Sequence, residues 1–458
     1  PGANRSLPAM QWFGALGLLE PRHWNMSGLY IPAQPIDISR LQEAVQTLID
    51  RHDALKTRYH LQGNSWEPAP MLPDEKPEIT DLVRDISLGD GSELPWTLLD
   101  APRSLNPDVG RHLRVSLHRM KAGSQRLSLI AHHLATDAVS ARILLEELSH
   151  FLVGKGDELP LSDPAYVYGA GLADWVETRE AQAERALWAE VIAAGPTRLP
   201  RDLPEGRNLN RYSAAVVRQL DPEETKRLLA KGGTAAQAAM VAALGGALSS
   251  WTGKHDMVLS MEGHGRMAPV GVTGDVSRSV GWFTAFWPAR VAITGHPDVD
   301  ARNVLARFDA LPPERTGYGA LRWLGADGDA LAFQSDVSFN YLGVADAAGN
   351  DGGFFSPAPE PDAPQRAAGD RRPFVLDVNA VVRDGTLSIS FGYATSLHHE
   401  ETVLDVADET MDRLQRILAA PSSHASSATA MKTKRPDFEH AGLPAGELAE
   451  LLDVLDGD

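Results

Sequence analysis

Apolar and polar positions along this 458-residue chain follow two periods, and the places where one period gives way to the other mark its elements. Residues 37–58 carry Leu41, Ala44, Val45, Leu48 and Ile49 at helical spacing, with Asp37 or Ser39 available as the cap. Residues 111–118 and 126–133 alternate like strands, and residues 139–152 return to a helical stripe of Ala141, Leu144, Leu145, Leu148 and Leu152. A polar, Pro-containing connection at 154–168 precedes a helix over 171–193. After a Pro- and Gly-containing loop at 194–213, the pattern predicts helices at 222–230 and 234–250 and strands at 256–262 and 281–292. It continues with a helix at 299–311, strands at 335–342, 374–383 and 386–394, and a helix at 400–419. Residues 344–372, rich in Ala, Gly, Pro and Asp, read as a mobile loop. Residues 420–435 read as a linker and 447–458 as an acidic tail leading toward a downstream module. Both halves mix strands with helices, so the expectation is an α/β protein of two lobes, 1–170 and 171–419, followed by the 420–458 extension.

Composition narrows this only at its edges. The apolar (43%) and charged (23%) fractions are those of a globular chain, and a formal net charge of −18 disfavours nucleic acid as a partner. The absence of cysteine removes disulfides, thiolate metal sites and a cysteine nucleophile. No apolar run is long enough to cross a bilayer, and PGANRSLPAM lacks the regions of a signal peptide. A start at Pro1 gives the expectation of a piece excised from a longer protein.

The stretch LSLIAHHLATDAVS at 127–140 raises a sharper question. Strand alternation places Leu127, Leu129, Ala131 and His133 on one side and Ser128, Ile130 and His132 on the other. The period turns helical near Thr136, so His133 ends the strand at a cleft mouth, where a neutral imidazole can serve as a base. His132 reads as a structural hydrogen-bonding residue. Asp137 reads as the cap of the next helix, or as the holder of a buried arginine, with Arg58 and Arg266 the candidates. His398 and His399 form another pair but lack this context and read as surface residues.

HHLATDA, set between strand and helix, resembles the HHxxxDG motif of the nonribosomal peptide synthetase condensation superfamily. MEGHGR (261–266), SRSVGWFTAFWP (277–288), GYGALRWL (317–324) and VSFNYLG (337–343) follow in the order of the signature blocks of its epimerization domains. LPAMQWFGALGLLEPRHWN (7–25) and LDVNAVVRDGTLSISFGYA (376–394) fit the same branch, so the likeness spans nearly the whole chain. The resemblance implies two chloramphenicol-acetyltransferase-like lobes arranged as a V around a central tunnel. It implies a cytoplasmic synthetase module and a peptidyl carrier protein as partner. The carrier's phosphopantetheine arm tethers the substrate, and the domain needs no cofactor or metal of its own.

The chemistry such a domain performs needs three things: a base at Cα of a thioester, a proton source on the opposite face, and a donor to the enolate oxygen. His133 is one acid/base group. Glu262, at a strand end beside Gly263 and Gly265, is the other, and an apolar tunnel would raise its pKa. Asn340 and Tyr341 can donate to the thioester oxygen or the substrate amine, with His132, Asp137 and Arg266 in support. Each has a plainer reading. EGHGR can be a turn with a solvated glutamate, NYLG a strand end, His264 a loop residue, and Trp282, Phe283, Phe286 and Trp287 core or tunnel wall. Three positions depart from the pattern: Ala138 where Gly is usual, Ala141 where Trp is common, and Met267 where an acid usually closes EGHGRE. They leave room for two rivals to epimerization: a silent platform for carrier or tailoring proteins, and a condensation enzyme using His133 alone. Retention of Glu262 weighs against the second.

Overall fold

The computed structural model describes residues 6–71, 76–88, 93–121, 123–345 and 353–420. The expected linker and acidic tail, and residues 346–352 of the expected loop, lie outside the described residues.

The chain is mixed α/β in two lobes. Along it lie strands β1 (Asn25–Pro32), β2 (Thr57–Gln62), β3 (Ser65–Pro70), β4 (Val83–Ser87), β5 (Leu113–Arg119) and β6 (Gln125–His132). The second half supplies β7 (Ser213–Gln219), β8 (Asp256–Gly263), β9 (Ala285–Ala292), β10 (Val337–Val344), β11 (Phe355–Pro357), β12 (Leu376–Arg383) and β13 (Thr386–Ala394). The first-lobe sheet runs β11-β1-β6-β5-β4, the second-lobe sheet β7-β13-β12-β10-β8-β9, and β2 and β3 form a separate ribbon. In the second sheet, β8, β10 and β12 are mutually parallel, so their C-terminal ends lie together. The helix Gly233–Thr252 is apolar and buried over most of its circumference, packed against the helices Pro297–Ala310 and Glu400–Ala419. One continuous hydrophobic cluster runs through both lobes.

Several expectations change at element ends. The helix expected over 37–58 stops at Arg51, because the apolar stripe ends at Ile49 and His52 turns extended; Thr57 already starts β2. Asp37, not Ser39, caps it, accepting from the N–H groups of Ser39 and Arg40. The helix expected over 171–193 is two, Ala165–Trp175 and Arg179–Ile192, the second capped by Thr178. The strand expected from 281 begins at Ala285, because the N–H groups of Gly281 and Phe283 are taken by Ser140 and Asp137 of the first lobe. The helix Thr316–Trp323 was not expected.

The described part of the expected mobile loop is firmly held. β11 crosses to the first lobe and pairs with β1, Glu360 grips Arg126 at 2.7 Å, and Asp370 accepts the N–H groups of Leu19 and Glu20. His398 is buried, 1% exposed, with its ring edge-on to Trp251, while His399 is exposed as expected. No helix among the described residues is long and apolar enough to cross a membrane.

Candidate active site

A cavity of about 570 Å³ opens between the lobes. His133, Trp12, Trp24 and Ala138 line it from the first lobe, and Glu262, Asn340, Trp282 and Phe286 from the second. Two groups far apart in the sequence, His133 and Glu262, therefore face one space.

His133 follows β6 directly and opens a short 3₁₀ turn, His133–Ala135. Its N–H donates to the Trp24 carbonyl at 2.9 Å and its carbonyl accepts from Thr136, which fix the backbone. The ring lies 4.2 Å from Trp282. Nδ1 is buried without a hydrogen-bond partner, which leaves Nε2 as the nitrogen turned to the cavity. Burial, reinforced by Arg366 and His132, holds the His133 pKa well below its ordinary value, and the nearby peptide groups of Thr136 and His133 oppose this only weakly. The imidazole is therefore neutral at physiological pH and able to accept a proton.

His132 is the structural partner that the alternation implied. Its Nδ1 accepts the Leu134 N–H at 3.1 Å, so the proton sits on Nε2, which donates to the Pro21 carbonyl at 2.9 Å. Burial depresses its pKa to about 3, and this tautomer persists.

Glu262 is the penultimate residue of β8, beside Asn340 of β10 and Phe286 of β9 in the sheet register. The Asn340 amide donates to Glu262 Oε2 at 3.3 Å. Tyr341 borders the cavity but alternates away from Asn340, with its ring in the core and its phenol pKa raised by burial. It stays protonated, a donor. His264 also borders the cavity; its Nδ1 accepts the Arg266 N–H at 3.0 Å, and burial first, then Arg266, lowers its pKa.

Arg266 resolves the choice left open for Asp137. Its Nη2 donates to Asp137 Oδ1 at 2.8 Å and to Ser140 Oγ at 2.9 Å, while Nη1 donates to the carbonyls of Val276 and Ser279 at 2.7 Å. Asp137 also accepts from the N–H groups of Ser140 at 2.7 Å and Phe283 at 3.0 Å. It is both the helix cap and a tie between the lobes. Gly265 makes the approach possible: its φ is +64°, and a Cβ there would fall 1.7 Å from the Phe283 carbonyl oxygen.

The departures from the motif are mild. Ala138 is the first residue of the helix Ala138–Leu152, and among the described residues only Arg315 and Asp384 combine a side chain with positive φ, so no glycine is required at 138. Ala141 is buried on that helix. Met267 contributes its carbonyl, which accepts from the hydroxyls of Tyr168 and Thr316.

The condensation-domain family profile matches residues 5–437. The chain belongs to the condensation-domain family. This condensation-family domain is 32% identical to part of a linear gramicidin synthase from Brevibacillus parabrevis, over 90% of the chain and 8% of that protein. It is 29% identical to part of chondramide synthase of Chondromyces crocatus, over 98% of the chain and 12% of that protein. The chain thus spans about a tenth of the length of these relatives. Among solved structures it is similar to the epimerization domain from the third module of tyrocidine synthetase B, with a TM-score of 0.79 and 25% identity over 91% of this chain and 96% of that one. The X-domain from teicoplanin biosynthesis, at 17% identity over 92% of this chain and 96% of that one, shares the fold with a TM-score of 0.70.

Sequence reasoning missed part of the domain's cavity wall. Arg366 lies over Trp24 at 4.0 Å and donates to the Asn25 carbonyl, and its charge helps keep His133 neutral. It comes from the Ala/Gly-rich stretch read as a loop, where nothing local distinguishes it. Trp12 stacks on Phe286 at 4.1 Å and extends the aromatic wall. Asn379 and Ser390 also line the cavity, and their only sequence signal is the polar side of two alternating strands.

Proposed function

We propose that this domain inverts Cα of an L-aminoacyl or peptidyl thioester carried on the phosphopantetheine arm of a peptidyl carrier protein, within a nonribosomal peptide synthetase. The observation that carries the reading is the convergence of His133 and Glu262, from different lobes, on one cavity. The likeness to an epimerization domain over nearly the full length of both chains supports it.

The steps balance without an added reagent. Neutral His133 takes the Cα proton, and the bonding pair moves into the thioester carbonyl to give an enolate. The Asn340 amide, on the same sheet face as Glu262, is a nearby neutral donor for that oxygen. The Glu262 carboxyl returns a proton to the opposite face and the thioester re-forms. The reverse assignment, with Glu262 as base, would need His133 protonated at rest, which its burial opposes. Trp282 and the aromatic wall keep water from the carbanion.

The test loads a carrier protein with an L-aminoacyl or peptidyl pantetheine thioester in deuterated buffer and reads configuration and Cα deuterium in the released product. Inversion with exchange supports the reading. Unchanged L product without exchange overturns it in favour of a silent platform, and transfer to an added amine or alcohol overturns it in favour of bond formation.

A further inference from the structure

Inversion through His133 places a negative charge on the thioester oxygen, and the neutral Asn340 amide is already engaged with Glu262. A base held well below its ordinary pKa is poorly matched to a weak carbon acid, unless the group that depresses the base also stabilises the enolate. Burial leads the depression of His133, and the charge of Arg366 comes next. Geometry puts that cation beside the base. Three backbone segments lie side by side on the first-lobe wall: Arg366 bridges to Trp24, and the Trp24 carbonyl accepts the His133 N–H at 2.9 Å. Arg366, Trp24 and His133 all line the cavity. The guanidinium lies 4.0 Å from the Trp24 ring, and its Nη1 donates to the carbonyls of Asn25 at 2.9 Å and Gln365 at 3.1 Å.

Neighbouring backbones are about 4.8 Å apart, so the Arg366 and His133 backbones are about 10 Å apart, and the guanidinium sits over the residue that separates them. A thioester oxygen is two bonds, about 2.4 Å, from Cα, and a reacting base stands about 3–3.5 Å from its target. The oxygen of an enolate formed at His133 is therefore within about 6 Å of the imidazole. A full charge at this range acts strongly in a protein interior, even without contact. Arg372, also on the cavity wall, lies beside Gly392 of β13, three strands from the strand that carries Glu262.

The geometry points to Arg366 as the cation that stabilises the thioester enolate, its guanidinium supplying the positive charge that the oxygen meets as the Cα proton leaves. The guanidinium gives up no proton, so it adds a charge to the step and changes no bond. This rests on the proposed thioester inversion and adds a residue to it. The experiment measures initial Cα deuterium uptake from an L-aminoacyl pantetheine on its carrier protein at about pH 8.5, where His133 is neutral with or without a neighbouring cation. Arg366→Met keeps length and stacking surface but removes the charge, and it lowers kcat about 10²–10³-fold with KM unchanged. Arg366→Gln, which can still donate to the Asn25 carbonyl, does the same and stands in if Arg366→Met does not fold. Arg366→Lys, which keeps the charge, stays within about tenfold of wild type. Wild-type kcat in the uncharged variants overturns the inference, since Arg366 would then serve only to keep the resting base neutral. A loss confined to KM, or one as large in Arg366→Lys as in Arg366→Met, overturns it too, in favour of holding the arm or the backbone. Calorimetric titration of wild type tests the charge directly, with a pantetheine analogue carrying a nitronate in place of the thioester and with the neutral amide. The nitronate binds at least about 100-fold more tightly, a preference the uncharged variants lose, and equal binding of the two by wild type overturns the inference. Absence of exchange in wild type defeats the thioester inversion instead.

Discussion

Asp137→Asn separates two roles that the sequence left open. Asparagine caps helices about as well as aspartate, so a residue that only caps would tolerate the change at a few tenths of a kcal/mol. The structure demands more. The Arg266 and Asp137 side chains are 6% and 4% exposed and meet at 2.8 Å, so solvent screens the pair very little. Removing the carboxylate charge leaves a buried guanidinium uncompensated, which costs about 3–5 kcal/mol. The new amide must also point its NH₂ at either Arg266 or the Phe283 N–H, both of them donors. For a lobe of this size, about 3–5 kcal/mol is a fall in Tm of roughly 6–20 °C. Differential scanning calorimetry reads it, with Asp37→Asn as the control, since Asp37 caps an exposed helix start by accepting backbone N–H groups. Adding Arg266→Met to Asp137→Asn restores part of the loss, with a coupling of about 2 kcal/mol or more. An Asp137→Asn protein melting within about 2 °C of wild type, like the control, would refute the claim that this pair ties the lobes.

Other outcomes follow from the same geometry. His133→Ala and Glu262→Gln each abolish inversion, with Glu262→Gln leaving partial deuterium exchange without change of configuration; chiral analysis of the released product checks this, and normal activity in either means the pair is misassigned. Burial holds His112 and His118 at about 4 and His132 at about 3, while the unfolded chain takes up these protons near ~6.5. Stability is therefore full above pH ~6.5 and falls by about 1.4 kcal/mol per pH unit per histidine as pH drops toward ~4; urea midpoints that do not change between pH 7 and 5 would contradict it. Trp282→Ala hydrates His133 and moves the acid limb of the pH–rate profile to higher pH, whereas a lowered rate with an unmoved limb would assign Trp282 a packing role alone. Gly265→Ala drives a methyl into the Phe283 carbonyl and displaces Arg266, so it lowers Tm and rate together; a protein with wild-type melting would show that the loop relaxes freely.

Much of this was legible because it is local. The change of period near Thr136 located the strand, the turn and the helix that set His133, and both ends fall within a residue or two of expectation. The likeness to epimerization domains named His133 and Glu262 together, and the lobes bring them to one cavity. What failed was non-local. The helix over 37–58 was overrun because the polar residues after Ile49 suit a helix surface and a strand edge equally. His398 was misplaced at the surface because nothing adjacent announces Trp251, which covers it from another helix. The 344–372 stretch has a loop's composition, yet three of its residues complete the sheet of the opposite lobe, and edge pairing leaves almost no compositional trace.

Ala138 shows why departures from a motif need coordinates before they carry functional weight. From sequence, alanine in place of glycine raised the prospect of a strained backbone or an obstructed arm. The position is the first turn of a helix, where alanine suits the backbone better than glycine, so strain is removed as an objection. Its methyl packs with Leu342 against the Ala345 and Val381 cluster of the second lobe, and so adds contact across the cleft that Asp137 and Arg266 already bridge. It also lines the cavity, so the steric question survives in a narrower form: how much room the tether keeps beside one methyl group. Neither consequence touches His133 or Glu262. The departures therefore bear on how the lobes meet and on the room in the cavity, and they leave the placing of the proposed pair, His133 and Glu262, on that cavity unchanged.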